Sequence, residues 1–158
     1  MLRAVMRRVA SPVTIVTAAA GGEPRGATIG SFTSASLRPP LVSFNIQKES
    51  GLAATLLAAD RFAVHLLGDD QADLAEQFAL PDLSSAALFR GVSHAYSGGD
   101  DPPVLRGVFG VLQCRRWAVY DAGDHRIVLG EVLRVIEGEA AGPLLYYNRS
   151  YRAIGGEV

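Results

Sequence analysis

The distribution of hydrophobic residues along the chain predicts a protein built mainly from β-strands. The segments richest in β-branched and other apolar residues have the length of strands and are bounded by glycine, proline or polar clusters. Glycine-containing turns at 21–22 and 121–124 connect two pairs of these segments as hairpins. The predicted strands are 13–18, 25–29, 41–46, 62–67, 107–120, 125–136, 144–147 and 151–154.

Three shorter segments have helical patterns. Apolar residues alternate with arginines at helical spacing over 2–10, which predicts an amphipathic helix covering one end of the domain. The alanine- and leucine-rich segment 51–59 predicts a second helix with Ser50 as its N-cap, and Asp70 is predicted to open a third. Many strands with a few short helices predict an all-β-dominated (α+β) fold, a Greek-key antiparallel barrel with short capping helices.

Two proline-rich segments interrupt this pattern. Because two prolines cannot lie inside a central ladder, the residues just before Arg38-Pro39-Pro40 are predicted to be irregular. Residues 80–103 hold most of the loop signals and predict one long loop. Such a loop is a candidate lid or dimer contact, and the sequence leaves both alternatives open.

Composition and charge remove several classes of function. The 158 residues are 49% hydrophobic and 20% charged, which predicts one globular domain spanning 1–158. The net charge of −1 offers nothing that would attract nucleic acid or an anionic membrane. No apolar run approaches the ~18 residues of a membrane span, so a cytoplasmic protein is expected. One cysteine and three scattered histidines predict neither a disulfide nor a metal site.

A stretch crowded with small hydroxyl residues lies between two predicted strands. Such side chains offer donors and acceptors on short stems and let the backbone approach a ligand closely. The stretch therefore has two interpretations, a plain polar loop or a binding site for a planar heterocycle with several hydrogen-bonding groups. Its hydroxyl residues are Thr28, Ser31, Thr33, Ser34 and Ser36.

At this stretch the chain resembles a known family. The run Thr28-x-x-Ser31-Phe32-Thr33-Ser34-x-Ser36-x-x-Pro39-Pro40-Leu41-Val42-Ser43 is similar to the N-terminal signature of the flavin reductase-like family. These are the small NAD(P)H:flavin oxidoreductases that serve two-component monooxygenases. The similarity continues, in the family's order and over nearly the whole chain, through Gly123-Asp124-His125, Gly130-Glu131-Val132 and Pro143-Leu144-Leu145-Tyr146-Tyr147.

The resemblance implies a split β-barrel that binds FMN or FAD and uses NADH or NADPH as hydride donor. It also implies a homodimer with flavin sites near the subunit interface, and a flavin-dependent monooxygenase as a possible partner. Phe32 has two interpretations, a neighbour of the flavin ring or a core aromatic. The residues expected to bind the flavin are Thr28, Ser31, Phe32, Thr33, Ser34, Ser36, Asn45, Lys48, Ser50 and Gly51.

The flavin phosphate is expected beside Ser50, because a hydroxyl and free N–H groups at a helix start favour an anion. Lys48, the only lysine, would add a positive charge; an exposed charge at a strand end is the alternative. Family members often have Ser-x-Thr here, whereas this chain has Ser50-Gly51-Leu52 and lacks the second hydroxyl. On this basis Leu52→Thr is expected to tighten FMN binding.

His125 is the candidate catalytic residue, because it matches the histidine of the family's Gly-Asp-His, which lies beside the nicotinamide. Its expected task is to hold the pyridine ring over flavin N5, and the alternative is a structural histidine in a strand. Tyr147 and Tyr151 are expected to line the same opening. Arg149 is expected to meet a phosphate of the nicotinamide dinucleotide, and it stands where the family has a glycine after the tyrosine pair.

Two other functions stay open at this stage. One is an FMN-binding electron-transfer or sensor flavoprotein without nicotinamide-dependent catalysis. The other is a β-barrel binding module without flavin. The Gly-Asp-His motif favours the reductase, because a pure flavin carrier has no use for a histidine that positions nicotinamide.

Overall fold

The computed structural model describes all of residues 1–158. All eight predicted strands are present, with ends shifted by a few residues. The helices are α1 (Leu2–Met6), α2 (Gly51–Ala58), α3 (Ala72–Ala79) and α4 (Ser85–Leu88). The strands are β1 (Ser11–Pro12), β2 (Thr14–Ala20), β3 (Glu23–Ile29), β4 (Thr33–Leu37), β5 (Pro40–Gln47), β6 (Arg61–Leu66), β7 (His94–Ala95), β8 (Val104–Leu105), β9 (Gly110–Ala122), β10 (His125–Glu137), β11 (Leu145–Tyr147) and β12 (Ser150–Arg152).

Seven of the strands form one antiparallel sheet in the order β3-β2-β6-β9-β10-β5-β4. Strands β6, β9 and β10 are neighbours, and β5, which precedes all three in the chain, lies beside β10, which is a Greek-key order. The two edge strands, β3 and β4, follow one another in the chain and are joined by residues 30–32. The sheet is therefore curled, and its two edges adjoin at a seam at these residues. At this seam the Ser31 hydroxyl accepts from the N–H of Asn45 (2.8 Å) and donates to its C=O (3.3 Å). The predicted Greek-key barrel is confirmed, with one seam bridged by a side chain.

The two faces of the sheet bury two hydrophobic clusters. The cluster inside the barrel includes Phe44 and Phe62, whose rings meet edge to face with centroids 5.5 Å apart. Gly130 lies against this pair, and a β-carbon there would overlap the Phe62 ring, which explains the glycine of the 130–132 motif. Burial in the same cluster raises the pKa of the Cys114 thiol to about 12, so this cysteine is unreactive near neutral pH. The second cluster lies between the outer face of the sheet and helices α3 and α4.

The segment before the prolines is a strand, so the prediction of an irregular segment is wrong. Thr33–Leu37 forms β4, which pairs with β5 at the edge of the sheet. Pro39 lies in the tight turn between the two strands, and Pro40 is the first residue of β5. Prolines are tolerated in both places because neither position requires a ladder N–H.

The N-terminal helix is shorter and more exposed than predicted. It ends at Met6 instead of residue 10, and none of its residues is buried. Leu2 and Met6 are 77% and 53% exposed, so α1 does not cover the end of the domain. Ser11 and Pro12 form β1, which pairs with β11 and so places the C-terminal hairpin next to α1.

The third helix also begins later than predicted. Gln71, not Asp70, is the N-cap of α3, and the Gln71 side chain accepts a hydrogen bond from the N–H of Gly68 (2.8 Å). None of the four helices has the length and apolar character that crossing a membrane requires.

Residues 80–103 are more ordered than a plain loop. They contain α4 and β7, and Phe89 is buried against Phe78 with ring centroids 5.3 Å apart. The far end of the segment is fixed where the Thr17 hydroxyl donates to the C=O of Pro103 (2.6 Å). These contacts attach both halves of the segment to the sheet.

The fully buried His65 extends this anchorage. Its Nδ1–H donates to the C=O of Ile15 (2.9 Å), and its Nε2 accepts from the N–H of Leu105 (3.0 Å). The bond from Leu105 requires the neutral ring, because protonation would remove the acceptor at Nε2. Burial lowers the pKa of His65 from 6.5 to about 4.

This shift predicts an acid-sensitive fold. Because the folded pKa lies below the unfolded one, the stabilisation is fully present above about pH 6.5 and is lost as the pH falls toward 4. We expect the free energy of unfolding to fall by about 2 kcal/mol between roughly pH 7.5 and pH 5, above the range where most carboxylates titrate. Urea unfolding at the two pH values measures it. A stability unchanged over this interval would show that His65 is not held neutral as described.

Candidate functional site

The end of β5, the β9–β10 turn and the start of α2 meet at one edge of the barrel. His125, the first residue of β10, pairs with Gln47, the last residue of β5. The N–H of Lys48 donates to the C=O of Asp124 (3.0 Å), which fixes the Gly-Asp-His turn against the residues leading into α2. The structure therefore brings His125 beside Lys48 and Ser50, which are far from it in sequence.

The start of α2 has open hydrogen-bond donors. Ser50 occupies the N-cap position as predicted, but its hydroxyl makes no capping bond. The N–H groups of Gly51 and Leu52 have no hydrogen-bond partner in the protein. Nothing lies within 4 Å of the place where a β-carbon on Gly51 would be, so the approach to these donors is open. A free hydroxyl, two free N–H groups and the nearby Lys48 fit a phosphate group.

Lys48 is held loosely in place. Its ammonium lies 3.6 Å from Oδ2 of Asp121, and the other carboxylate oxygen of Asp121 lies 3.5 Å from Nε of Arg126. Asp121 is 74% exposed, so these contacts are weak and solvated. An incoming phosphate would meet a lysine that is positioned but not neutralised.

The Asp124 carboxylate orients the His125 ring. Oδ1 of Asp124 lies 2.6 Å from Nδ1 of His125, so a carboxylate acceptor places the proton on Nδ1. This hydrogen bond from His125 is the main cause that lowers the pKa of Asp124, and the charge of Arg3 is a smaller one. The carboxylate therefore stays ionised, and the Nε2 atom of His125 is left to accept a hydrogen bond from a ligand.

The hydroxyl-rich stretch divides into two parts. The Thr28 hydroxyl donates to the C=O of Ala75 (2.6 Å), so this side chain attaches β3 to α3. The Ser31 hydroxyl bridges the barrel seam to the backbone of Asn45, whose own side chain is exposed. These two hydroxyls serve the fold, and Ser31 lies roughly 10 Å along β5 from Lys48.

The remaining hydroxyl residues lie on the edge strand β4. Thr33 and Ser34 are exposed, and Ser36 accepts a weak bond from the N–H of Arg38 (3.3 Å). Phe32 is partly buried and packs against the cluster inside the barrel, which favours its interpretation as a core aromatic. The edge strand thus presents hydroxyls to solvent beside the seam.

The expectation about Leu52 is wrong. Its side chain is only 1% exposed and belongs to the cluster inside the barrel, so it points away from the open start of α2. A threonine here would not present a hydroxyl to a phosphate. In this chain the two backbone N–H groups and Ser50 are the donors available.

The C-terminal hairpin stands apart from the barrel sheet. Its strand β11 pairs with β1 on one side and with β12 on the other, and the rings of Tyr146 and Tyr151 meet edge to face at 5.3 Å. An open cavity of about 290 Å³ lies between this hairpin and α1. Arg149 lines it, and the tyrosine in its wall is Tyr146. Tyr147 does not line it, because successive side chains of a strand point to opposite faces. Tyr151 packs against the Tyr146 ring and does not line the cavity either.

Two contacts join this cavity to the rest of the site. The hydroxyl of Ser11, which lines the cavity, lies 3.2 Å from the place where a β-carbon on Gly30 would be, next to Ser31. Arg3, which also lines the cavity, is close enough to Asp124 to contribute to its lowered pKa. A larger cavity of about 520 Å³, beside Arg61 and Tyr96, contains none of the predicted site residues.

Sequence reasoning missed several residues that the structure places at the site. Arg3, Arg7, Ser11 and Tyr146 line the cavity, and Asp124 orients His125. The clustering of arginines in 2–10 was a visible signal, but the short helix that aims them at the β11–β12 turn was not.

Comparison with known proteins agrees with this arrangement. The flavin reductase like domain family matches residues 6–155. The chain therefore belongs to the flavin reductase-like family.

Individual relatives match along most of their length. The reductase component of 4-hydroxyphenylacetate 3-monooxygenase from Thermus thermophilus is 39% identical over 149 residues, covering 94% of this chain and 92% of the relative. The NADH:FMN oxidoreductase of Rhodococcus erythropolis is 40% identical over 153 residues, covering 94% and 78%. The NADH:FAD oxidoreductase of Streptomyces globisporus, solved with NAD and FAD fragments, superimposes with a TM-score of 0.87 at 34% identity, covering 98% and 91%. The predicted family and its split-barrel fold are confirmed.

Proposed function

We propose that this chain is an NAD(P)H-dependent flavin oxidoreductase. The observation that carries the proposal is the meeting of the Gly-Asp-His turn with Lys48 and the open start of α2, in a chain of this family. The relatives named NADH:FMN and NADH:FAD oxidoreductases support FMN or FAD as the flavin and NADH or NADPH as the donor. The flavin supplies the redox chemistry by accepting hydride at N5.

The protein's own residues bind and orient. Lys48, Ser50 and the N–H groups at the start of α2 hold the flavin phosphate. The seam around Ser31 and Asn45 and the exposed hydroxyls of β4 face the ring system. His125 accepts a hydrogen bond from the nicotinamide carboxamide at Nε2, and Asp124 fixes the ring that does so.

The names of relatives also support a monooxygenase as a partner. The Thermus relative is the reductase component of a monooxygenase, so we propose that reduced flavin from this chain serves a flavin-dependent monooxygenase. We further propose a single flavin reductase-like domain over 1–158 that works in the cytoplasm as a homodimer. Exposed apolar side chains on β9 and β10 favour a second copy there. They are Trp117, Tyr120, Leu133 and Val135, each 50–58% exposed.

A steady-state assay tests the activity. Purified protein should oxidise NADH or NADPH only when FMN or FAD is added. A protein that binds flavin without such oxidation would instead be the electron-transfer or sensor flavoprotein considered above. One that neither binds flavin nor oxidises the donor would be the barrel without flavin.

The phosphate role of Lys48 predicts a selective loss of affinity. Lys48→Gln should weaken FMN binding by about tenfold, since one charge-assisted hydrogen bond is removed. Riboflavin has no phosphate, so its binding should not change. Fluorescence titration of both flavins measures this, with Arg126→Gln as the matched control, because Arg126 shares Asp121 with Lys48. An equal loss for riboflavin would remove Lys48 from the phosphate site.

A further inference from the structure

Three arginines converge on the cavity between α1 and the C-terminal hairpin. Arg3 and Arg7 come from α1 and its C-cap, and Arg149 comes from the turn between β11 and β12. The N–H of Asn148 donates to the C=O of Arg7 (2.8 Å), which ties the turn to the helix. Ser11 and Asn148 add polar groups to the same wall.

None of the three guanidinium groups has a partner within the protein. The chain's salt bridges involve other basic residues, and no hydrogen bond from the side chains of Arg3, Arg7 or Arg149 is formed. No Asp or Glu lines the cavity. Three positive charges therefore surround a volume of about 290 Å³ that has no acidic residue in its wall.

The backbone at Arg149 is in a conformation that favours glycine. Its φ is +66°, in the left-handed region, and the preceding Asn148 has a φ of +49°. Asparagine tolerates this region, whereas an arginine there is strained. A glycine at this position would fit the turn without strain. An arginine retained in a strained turn points to a role for its side chain.

The cavity also adjoins the site described above. Ser11 lies against Gly30, next to the Ser31 seam, and Arg3 lies near Asp124, which holds His125. A dinucleotide whose nicotinamide rests at His125 would have its phosphates within reach of this wall.

We infer that Arg3, Arg7 and Arg149 form a subsite for the pyrophosphate of a dinucleotide bound beside His125. This rests on the proposed function and extends it, because it gives the chain a preference for dinucleotides that the Lys48–Ser50 site does not supply. Guanidinium groups bind phosphate oxygens in pairs, which suits two linked phosphates. Two sources share this chemistry, the nicotinamide dinucleotide and FAD.

Two variants test the subsite. Arg149→Gly removes one charge and gives the turn the residue it favours, so the melting temperature should be unchanged or higher. With FMN as the flavin, the KM of Arg149→Gly for NADH should rise about tenfold. The KM of the triple variant Arg3→Gln, Arg7→Gln, Arg149→Gly for NADH should rise about a hundredfold, and kcat should stay nearly constant in both variants. Arg8→Gln is the matched control, since Arg8 is exposed and lies outside the cavity.

Three further arms identify the ligand. 1-Benzyl-1,4-dihydronicotinamide has no phosphate and should reduce the flavin equally well with every variant. A higher KM for NADH in the presence of FMN places the nicotinamide dinucleotide in the subsite. Weaker FAD binding with unchanged FMN binding places FAD there. Either result supports the inference. If only the binding of NADPH weakens, the arginines hold its 2′-phosphate and the inference is overturned. An active triple variant with an unchanged KM for NADH and an unchanged affinity for FAD also overturns the inference. An inactive parent protein would instead refute the proposed function.

Discussion

Replacing His125 with alanine should slow the reduction of bound flavin by NAD(P)H roughly ten- to a hundredfold while flavin affinity stays nearly constant. Hydride transfer needs no acid or base from the protein, so the loss reflects a nicotinamide ring that is no longer held in place. The Asp124 carboxylate orients the His125 ring and leaves Nε2 free to accept a hydrogen bond. Asp124→Asn should therefore show a smaller loss of the same kind.

Anaerobic stopped-flow traces of the flavin absorbance measure this rate, and dithionite provides the reference. Dithionite needs no binding site, so it should reduce the parent and the variant fully. His94→Ala is the matched control, because His94 lies on β7, away from the Gly-Asp-His turn, and packs against Phe89. A stable, flavin-loaded His125→Ala variant reduced at the parent rate would exclude the positioning role. Joint loss of flavin and thermal stability would make His125 structural.

Leu52→Thr should destabilise the fold by about 3 kcal/mol and leave FMN affinity unimproved. The leucine is almost fully buried inside the barrel, so the substitution removes apolar contacts and buries a hydroxyl. Leu57→Thr on the same helix is the control, because Leu57 is 43% exposed and should cost well under 1 kcal/mol.

Urea unfolding of the two variants and FMN titration of each separate the two views of Leu52. If Leu52→Thr has a stability near the parent value, binds FMN more tightly and binds riboflavin as the parent does, residue 52 faces the phosphate after all. Large destabilisation with unchanged FMN affinity in the remaining folded protein would support the buried position.

Much of the fold was accessible from the sequence because its strands are long, apolar and separated by glycine turns. The paired segments that became β9 and β10 are the best example, since their hairpin turn at 121–124 is local chemistry. Edge strand β4 was missed because its residues, Thr33–Leu37, are small and polar and lie beside two prolines. The burial of Leu52 depends on how α2 is rotated against the barrel, and local spacing does not determine that rotation.

The site was predictable to a similar degree. Motif similarity pointed to Ser50 and His125, and the charge of Lys48 just before Ser50 pointed to Lys48. The register of β5 against β10 brings them together. It could not separate hydroxyls that bind the protein's own backbone, such as Thr28, from those left free. Nor could it find Arg3 and Arg7, because their place beside Arg149 depends on the pairing of β1 with β11 across most of the chain.

The central claim is that this chain passes hydride from NAD(P)H to a flavin that it holds beside His125. Anaerobic mixing of the FMN-loaded protein with NADH tests it most directly. We expect the flavin absorbance to bleach at a rate that saturates with NADH and falls when the transferred hydrogen is deuterium. Flavin that remains oxidised under excess NADH and NADPH, yet is reduced by dithionite, would contradict the claim.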